Sequence, residues 1–233
     1  MKILDNIKIV DLGLYFVKEK TLVVGDIHIG LEEAMNKEGI MVPRKGLKKV
    51  LEHFNRIFSM ADVDIVVING DMKHEFGEIS RQEWQLTLKL LDYLIEKSKK
   101  VILIKGNHDK VLGPIAEKRE IKVVDSYVVG RVRILHGHKE DKFDEEVLLI
   151  GHDHPCVSLR NEVRVEKYKC FLKGKWTNKT LIVLPSFNFV SEGTDIRREK
   201  LLSPYLQQDL SKFEVFIVGD DGKIYDFGML NNF

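Results

Sequence analysis

Val101-Ile102-Leu103-Ile104-Lys105-Gly106-Asn107-His108-Asp109 is a run of apolar residues that leads into a glycine, an amide, an imidazole and a carboxylate. The apolar part reads as a strand buried on both faces, the kind found in a covered parallel sheet. Its polar tail then falls at the strand's C-terminal edge, where open α/β sheets gather their ligands. The same arrangement recurs on both sides. Leu22-Val23-Val24 leads to Asp26-x-His28, and Ile65-Val66-Val67-Ile68 to Asn69-Gly70-Asp71. Further on, Val132 to Leu135 leads to His136-Gly137-His138, and Val147 to Ile150 to Gly151-His152-x-His154.

Between these runs the period changes. Val50, Leu51, Phe54, Ile57 and Phe58 follow Leu47 at three- and four-residue steps, an amphipathic helix whose start Pro43 marks. Ser80-x-x-Glu83 is a capping box that opens a second helix, with Trp84, Leu88, Leu91 and Ile95 as a stripe expected in the core. Ile7, Ile9, Leu12, Leu14 and Phe16 alternate as a strand does. Beyond residue 120, closely spaced runs at Lys122 to Val124, Tyr127 to Val129, Val132 to Leu135, Val147 to Ile150, Val157 to Leu159 and Leu181 to Leu184 indicate a second, largely antiparallel sheet. Phe213 to Val218 and Lys223 to Phe227 flank Gly219-Asp220-Asp221-Gly222 as a hairpin. The expected architecture is α/β, a two-sheet sandwich flanked by helices, forming a single domain over residues 1–233.

The chain has 233 residues, 44% of them hydrophobic, and a formal net charge of +1. That suits a globular protein with a sizeable core and gives no strong field for binding nucleic acid by charge alone. The N-terminus lacks the pattern of a secretory signal, and no apolar run reaches membrane-spanning length. Two cysteines, Cys156 and Cys170, are too few for a disulfide framework and are expected to be core thiols. The setting expected is soluble, reducing and cytoplasmic, with no membrane partner.

The clusters carry chemistry through their donor types. Asp26 and His28, two apart on an extended segment, are expected to point the same way and grip one ion, as are His152 and His154. Asp71 follows a glycine, which lets the backbone turn and bring in a carboxylate able to bridge two cations. Asn107 offers a neutral oxygen, and His108 beside a carboxylate suits proton donation. His136 and His138 share the spacing of the later pair, and either reaches a metal. His74 and Lys73 follow Asp71 closely, and His74 is a candidate phosphate contact. His53, on the first helix, reads as a partly exposed structural residue. Such a set indicates a two-metal hydrolase.

The order Asp-x-His, Gly-Asp, Gly-Asn-His-Asp, His-Gly, Gly-His-x-His resembles the calcineurin-like metallophosphoesterase superfamily. Within it the chain is most similar to the SbcD-related phosphoesterases, which include ligase-associated endonucleases. This likeness extends through Leu184-Pro185-Ser186-Phe187-Asn188 and Gly193-Thr194-Asp195-Ile196 to Ser203-Pro204. It implies a four-layer α/β/β/α fold. It also implies one ion on Asp26, His28, Asp71 and His154, and a second on Asp71, Asn107, His136 and His152. His108 would sit beside the scissile phosphate, and Asp109 would hold its ring. His136 is favoured over His138 as the ligand, leaving His138, with His74, as a substrate-binding candidate.

Two divalent cations are therefore expected, manganese first, with iron or zinc as alternatives. Hydrolysis of a phosphodiester by activated water is the leading expectation, with DNA as a candidate substrate and a nuclease of repair as the biological form. A phosphomonoesterase or nucleotide hydrolase is the alternative, and a non-catalytic interaction module the remote one. Arg160, Arg164, Lys167, Lys169, Lys173, Lys175 and Lys179 outnumber Glu162 and Glu166, with Tyr168, Phe171 and Trp176 interspersed. That segment reads either as a surface tracking a nucleic-acid backbone or as a solvated hairpin with Val163, Val165 and Phe171 facing the core. A homodimer is a reasonable expectation, and repair proteins would join in trans.

Overall fold

Three apolar strands, β4 (Thr21–Gly25), β5 (Ile65–Asn69) and β6 (Lys100–Ile104), lie parallel and in register, with Gly25 level with Asn69 and Asn69 with Ile104. Apart from the partly buried Ile65, their Val, Ile and Leu side chains are buried on both faces, at roughly 1.5–3 kcal/mol for each fully buried aliphatic. The computed structural model describes residues 1–74, 80–109, 116, 119–160 and 164–232. β1 (Lys2–Leu4), β2 (Ile7–Val10) and β3 (Gly13–Phe16) extend the first sheet as an antiparallel meander ending on β4. β7 (Lys122–Val124) closes its other edge beside β6. This corrects the expectation that every run beyond residue 120 joins the second sheet.

The second sheet comprises β8 (Ser126–Val129), β9 (Val132–Leu135), β10 (Val147–Ile150), β11 (Pro155–Arg160), β12 (Val165–Trp176), β13 (Lys179–Val183), β14 (Thr194–Asp195), β15 (Glu214–Val218) and β16 (Ile224–Met229). It is mixed, because β9, β10 and β13 run parallel while β12 lies antiparallel to β11, β13 and β15. One core joins the two sheets, and alternation along β10 divides its side chains. Val147 and Leu149 enter that shared core, while Leu148 and Ile150 enter a second cluster with Tyr205, Leu206 and Phe213. The sandwich flanked by helices is as expected. α2 (Gly46–Met60) and α3 (Arg81–Lys97) cover the first sheet with Phe54, Ile57, Leu90, Leu91 and Leu94. The GDDG hairpin joins β15 to β16, closed by Gly219 N–H to Lys223 O at 2.9 Å.

Several local expectations need correction. α2 begins at Gly46 after Lys45, so Pro43 precedes the helix instead of occupying its first turn. α1 (Leu31–Lys37) buries no side chain, so it carries no apolar period for the sequence to display. α3 turns Glu83, Thr87, Leu90, Leu91 and Leu94 inward, leaving Trp84 and Leu88 partly buried and Ile95 exposed. The basic segment is mostly one twelve-residue strand, β12. Its Phe171 is buried and Val165 exposed, while Glu162 and Val163 lie outside the described residues.

The capping box holds on one side. Ser80 Oγ accepts from Glu83 N–H at 3.1 Å, while Glu83 Oε1 accepts from the backbone N–H of His74 at 2.9 Å. Ser80→Ala is expected to cost about 1 kcal/mol of stability, as lost N-caps do. A shift in the denaturation midpoint within error of zero would contradict the cap's role.

Candidate metal centre

Strand register sets the site. With the ends of β4, β5 and β6 level, Asp26, Asp71 and Asn107 emerge side by side. In the second sheet Ile150 pairs with Val183 and Leu149 with Ile134, so His136 and His152 follow strands ending at one level and face the first set.

Two groups of ligand-quality atoms form there, each with its atoms within 4.8 Å of one another: Asp26, His28 and His154; and Asp71, His136 and His152. His28 Nε2 lies 3.3 Å from His154 Nε2, and His152 Nδ1 lies 3.2 Å from His136 Nε2. Asn107 Oδ1 is 3.0 Å from His136 Nε2. Asp71 Oδ2 stands between the groups, 3.4 Å from His136 Nε2 and 3.9 Å from His28 Nε2. The sequence placed these seven residues together, and the fold brings them together.

The way they converge differs from expectation. His28, Asp71, His152 and His154 have φ values of 49°, 33°, 70° and 49°. The clusters are therefore left-handed turns, not extended segments with period two. Each such residue costs roughly 1–3 kcal/mol, a strain that concentrates at functional sites. Gly70, at φ 84°, passes so close to His136 that a Cβ there would lie 1.9 Å from Nδ1.

The donor set fits divalent cations. Asp26 Oδ1 is buried without a hydrogen-bond partner, an expense that an ion would remove. Burial, with help from His154, pushes the pKa of His28 down to about 3, keeping the imidazole neutral as a metal ligand must be. Burial also lowers His152. Burial works to lower His136 too, but Asp26 and Asp71 outweigh it and raise its pKa to about 9. A positive charge is thus called for between those two carboxylates. No thiolate competes: both cysteines are buried, and burial pushes Cys156 up to about 11.

Around the centre, His28, His74 and His108 form a third group with ring nitrogens within 4.8 Å. His108 Nδ1–H donates to the His74 carbonyl at 2.5 Å, so its Nε2 is left to face the cleft, 3.9 Å from Asp71 Oδ2. Asp109 does not hold that ring. Its carboxylate accepts from the backbone N–H groups of Met72 (3.1 Å), Gly106 (3.1 Å) and Lys73 (3.4 Å), pinning the turn that carries Asp71. His138 joins none of the groups, its ring centroid being 5.2 Å from that of His136. His53 is partly exposed, bonded through Nδ1 to Asp11 Oδ1 at 2.9 Å and stacked on Phe189.

The basic segment is largely engaged. Lys167 pairs with Glu199 at 2.7 Å and Lys173 with Glu214 at 3.0 Å. Lys179 donates to the carbonyls of Phe143 and Glu145 at 2.7 and 2.9 Å. Sequence reasoning missed the loops behind the ligands, in which Asn188 Nδ2–H donates to Ile27 O at 2.8 Å and Ser203 Oγ–H to Gly137 O at 2.7 Å. Their only signal was that both residues lie in the later stretches of the family likeness.

The model of the calcineurin-like phosphoesterases matches residues 19–219. Among solved structures, the chain is similar to the nuclease MPE of Pseudomonas putida, with 21% identity, a TM-score of 0.66 and coverage of 95% of this chain and 94% of that one. It is also similar to Vacuolar Protein Sorting 29 of Cryptosporidium parvum, with 14% identity, a TM-score of 0.43 and coverage of 89% and 97%. No curated protein matches. No helix among the described residues is long and apolar enough to cross a membrane.

Proposed function

Because the chain belongs to the calcineurin-like phosphoesterases and is a metal-dependent phosphoesterase, we propose that it hydrolyses phosphodiesters with two divalent ions, manganese foremost. Asp26, His28 and His154 would hold one ion, Asn107, His136 and His152 the other, and Asp71 would serve both. The observation that carries this reading is the convergence of both groups on Asp71 at strand ends held level by register. Mixed imidazole and oxygen donors without thiolate suit manganese or iron.

Bound there, the ions supply Lewis acidity toward the phosphoryl oxygens and the attacking water. The chain's own groups supply the rest. His108, with Nδ1–H spent on a carbonyl, moves a proton at Nε2, giving it to the departing oxygen. His74 groups with His28 and His108 and would contact a phosphate oxygen. Asp109 keeps the Asp71 turn in place through backbone amides. Nucleic acid is the first substrate class to test, since the nuclease of Pseudomonas putida shares the fold.

The decisive assay supplies manganese and follows bis-p-nitrophenyl phosphate and p-nitrophenyl phosphate in parallel. Diester cleavage is expected, abolished by chelation, restored by manganese, and lowered about a hundredfold or more in His108→Ala. Preference for the monoester would replace this reading with that of a phosphatase.

A further inference from the structure

Each unshared ligand of the first ion leans on one loop. Phe187 N–H donates to Gly25 O at 3.2 Å, beside Asp26, and Ser186 bridges Gly25. Asn188 Nδ2–H donates to Ile27 O at 2.8 Å, beside His28. Thr194 N–H donates to His154 O at 3.0 Å. The second ion's segments lean elsewhere. Ser203 Oγ–H donates to Gly137 O at 2.7 Å, beside His136. Leu202 and Ser203 N–H donate to Asp153 at 2.6 and 2.9 Å, between His152 and His154. Asp153 is a point where the second support also touches the first ion's neighbourhood, and the two ligand groups meet directly where His152 N–H donates to Asp26 Oδ2 at 3.1 Å.

Among the described residues, a cation fastens the first of these loops. From β12, Lys169 Nζ–H donates to Ser186 Oγ at 2.6 Å and to Ser191 O at 2.8 Å, spanning the loop. A pocket of about 560 Å³ runs along the loop at Phe189, Val190 and Ser191, where His53 stacks on Phe189. Burial pushes Lys169 down to about 8, against the opposing pull of nearby groups that include Asp26 and Glu192.

We propose that Lys169 is a positioning residue which, by clamping the loop from Ser186 to Thr194, sets the affinity of the ion on Asp26, His28 and His154 independently of the ion on Asn107, His136 and His152. The proposal rests on the two-ion reading above. Two supports from separate loops give each ion its own adjustment, with Asp71 as the shared element.

Metal-stripped protein titrated with manganese, by calorimetry and by the spin resonance of free manganese, tests this. Wild type should take up two ions. In Lys169→Met one binding step should weaken about 10–100-fold, the usual effect of losing a group behind a ligand, while the other changes less than twofold. Combined with His28→Ala, Lys169→Met should lose nothing more, because both act on one ion. Combined with Asn107→Ala, it should weaken the remaining ion. Ser186→Ala, which removes one acceptor and no packing, should act in the same direction should Lys169→Met fold poorly. Two ions in wild type with equal weakening of both steps, or of neither, would overturn the proposal alone. A wild type that takes up one ion would overturn the two-ion reading and the proposal with it.

Discussion

Asp71→Asn is expected to leave a folded protein whose hydrolysis has fallen at least about a thousandfold, several kcal/mol of barrier at 1.36 kcal/mol per tenfold. Asp71 reaches toward both ligand groups, 3.4 Å from His136 and 3.9 Å from His28, and its other oxygen accepts from His108 N–H at 2.9 Å. Asparagine is the cleanest substitution because Asp71 sits at φ 33°, in the left-handed region that Asn tolerates best among residues with a Cβ. Backbone strain would therefore change little, and the lost charge would account for the effect. Metal analysis of the variant should show one ion or none. A rate within tenfold of wild type would remove Asp71 from the bridging position.

Gly106→Ala is expected to destabilise the protein by about 3 kcal/mol or more. A Cβ at this position would lie 2.0 Å from Asp71 Oδ1 and 2.3 Å from Asp71 N. The second contact is with backbone, which no rotamer change relieves, so the Asp71 turn must shift and metal affinity should fall with stability. Gly39→Ala is the comparison, because Gly39 has a positive φ but nothing within 4 Å of its would-be Cβ. It should show only the strain of roughly 1 kcal/mol for a side chain in the left-handed region. Equal denaturation midpoints for the two variants would show that the close approach at Gly106 does not matter.

The strands that carry the ligands were legible because burial on both faces leaves unbroken runs such as Val101 to Ile104. The ligands were legible because imidazoles beside glycine have little packing reason to follow such runs. What aims them was not: left-handed φ at His28, His152 and His154 reflects tertiary constraint, and no residue type there announces it. β12 is harder to read, because its lysines mask an alternation in which Cys170 and Leu172 enter the second core cluster and Phe171 the first. Asp109 was assigned to its sequence neighbour, whereas backbone amides some 36 residues away claim its carboxylate. The supports behind the ligands act largely through backbone groups, which sequence does not distinguish.

The support for Asp26 and His28 comes from far along the chain, with Asn188 lying 161 residues beyond the carbonyl it holds. At synthesis rates of about 5–20 residues per second, a ribosome needs roughly ten to thirty seconds to travel that distance. For most of that interval the first ligands have neither His154 nor their brace, and for the remainder they have His154 without the brace. A nascent chain halted before Asn188 should therefore hold manganese more weakly than one that carries Asn188.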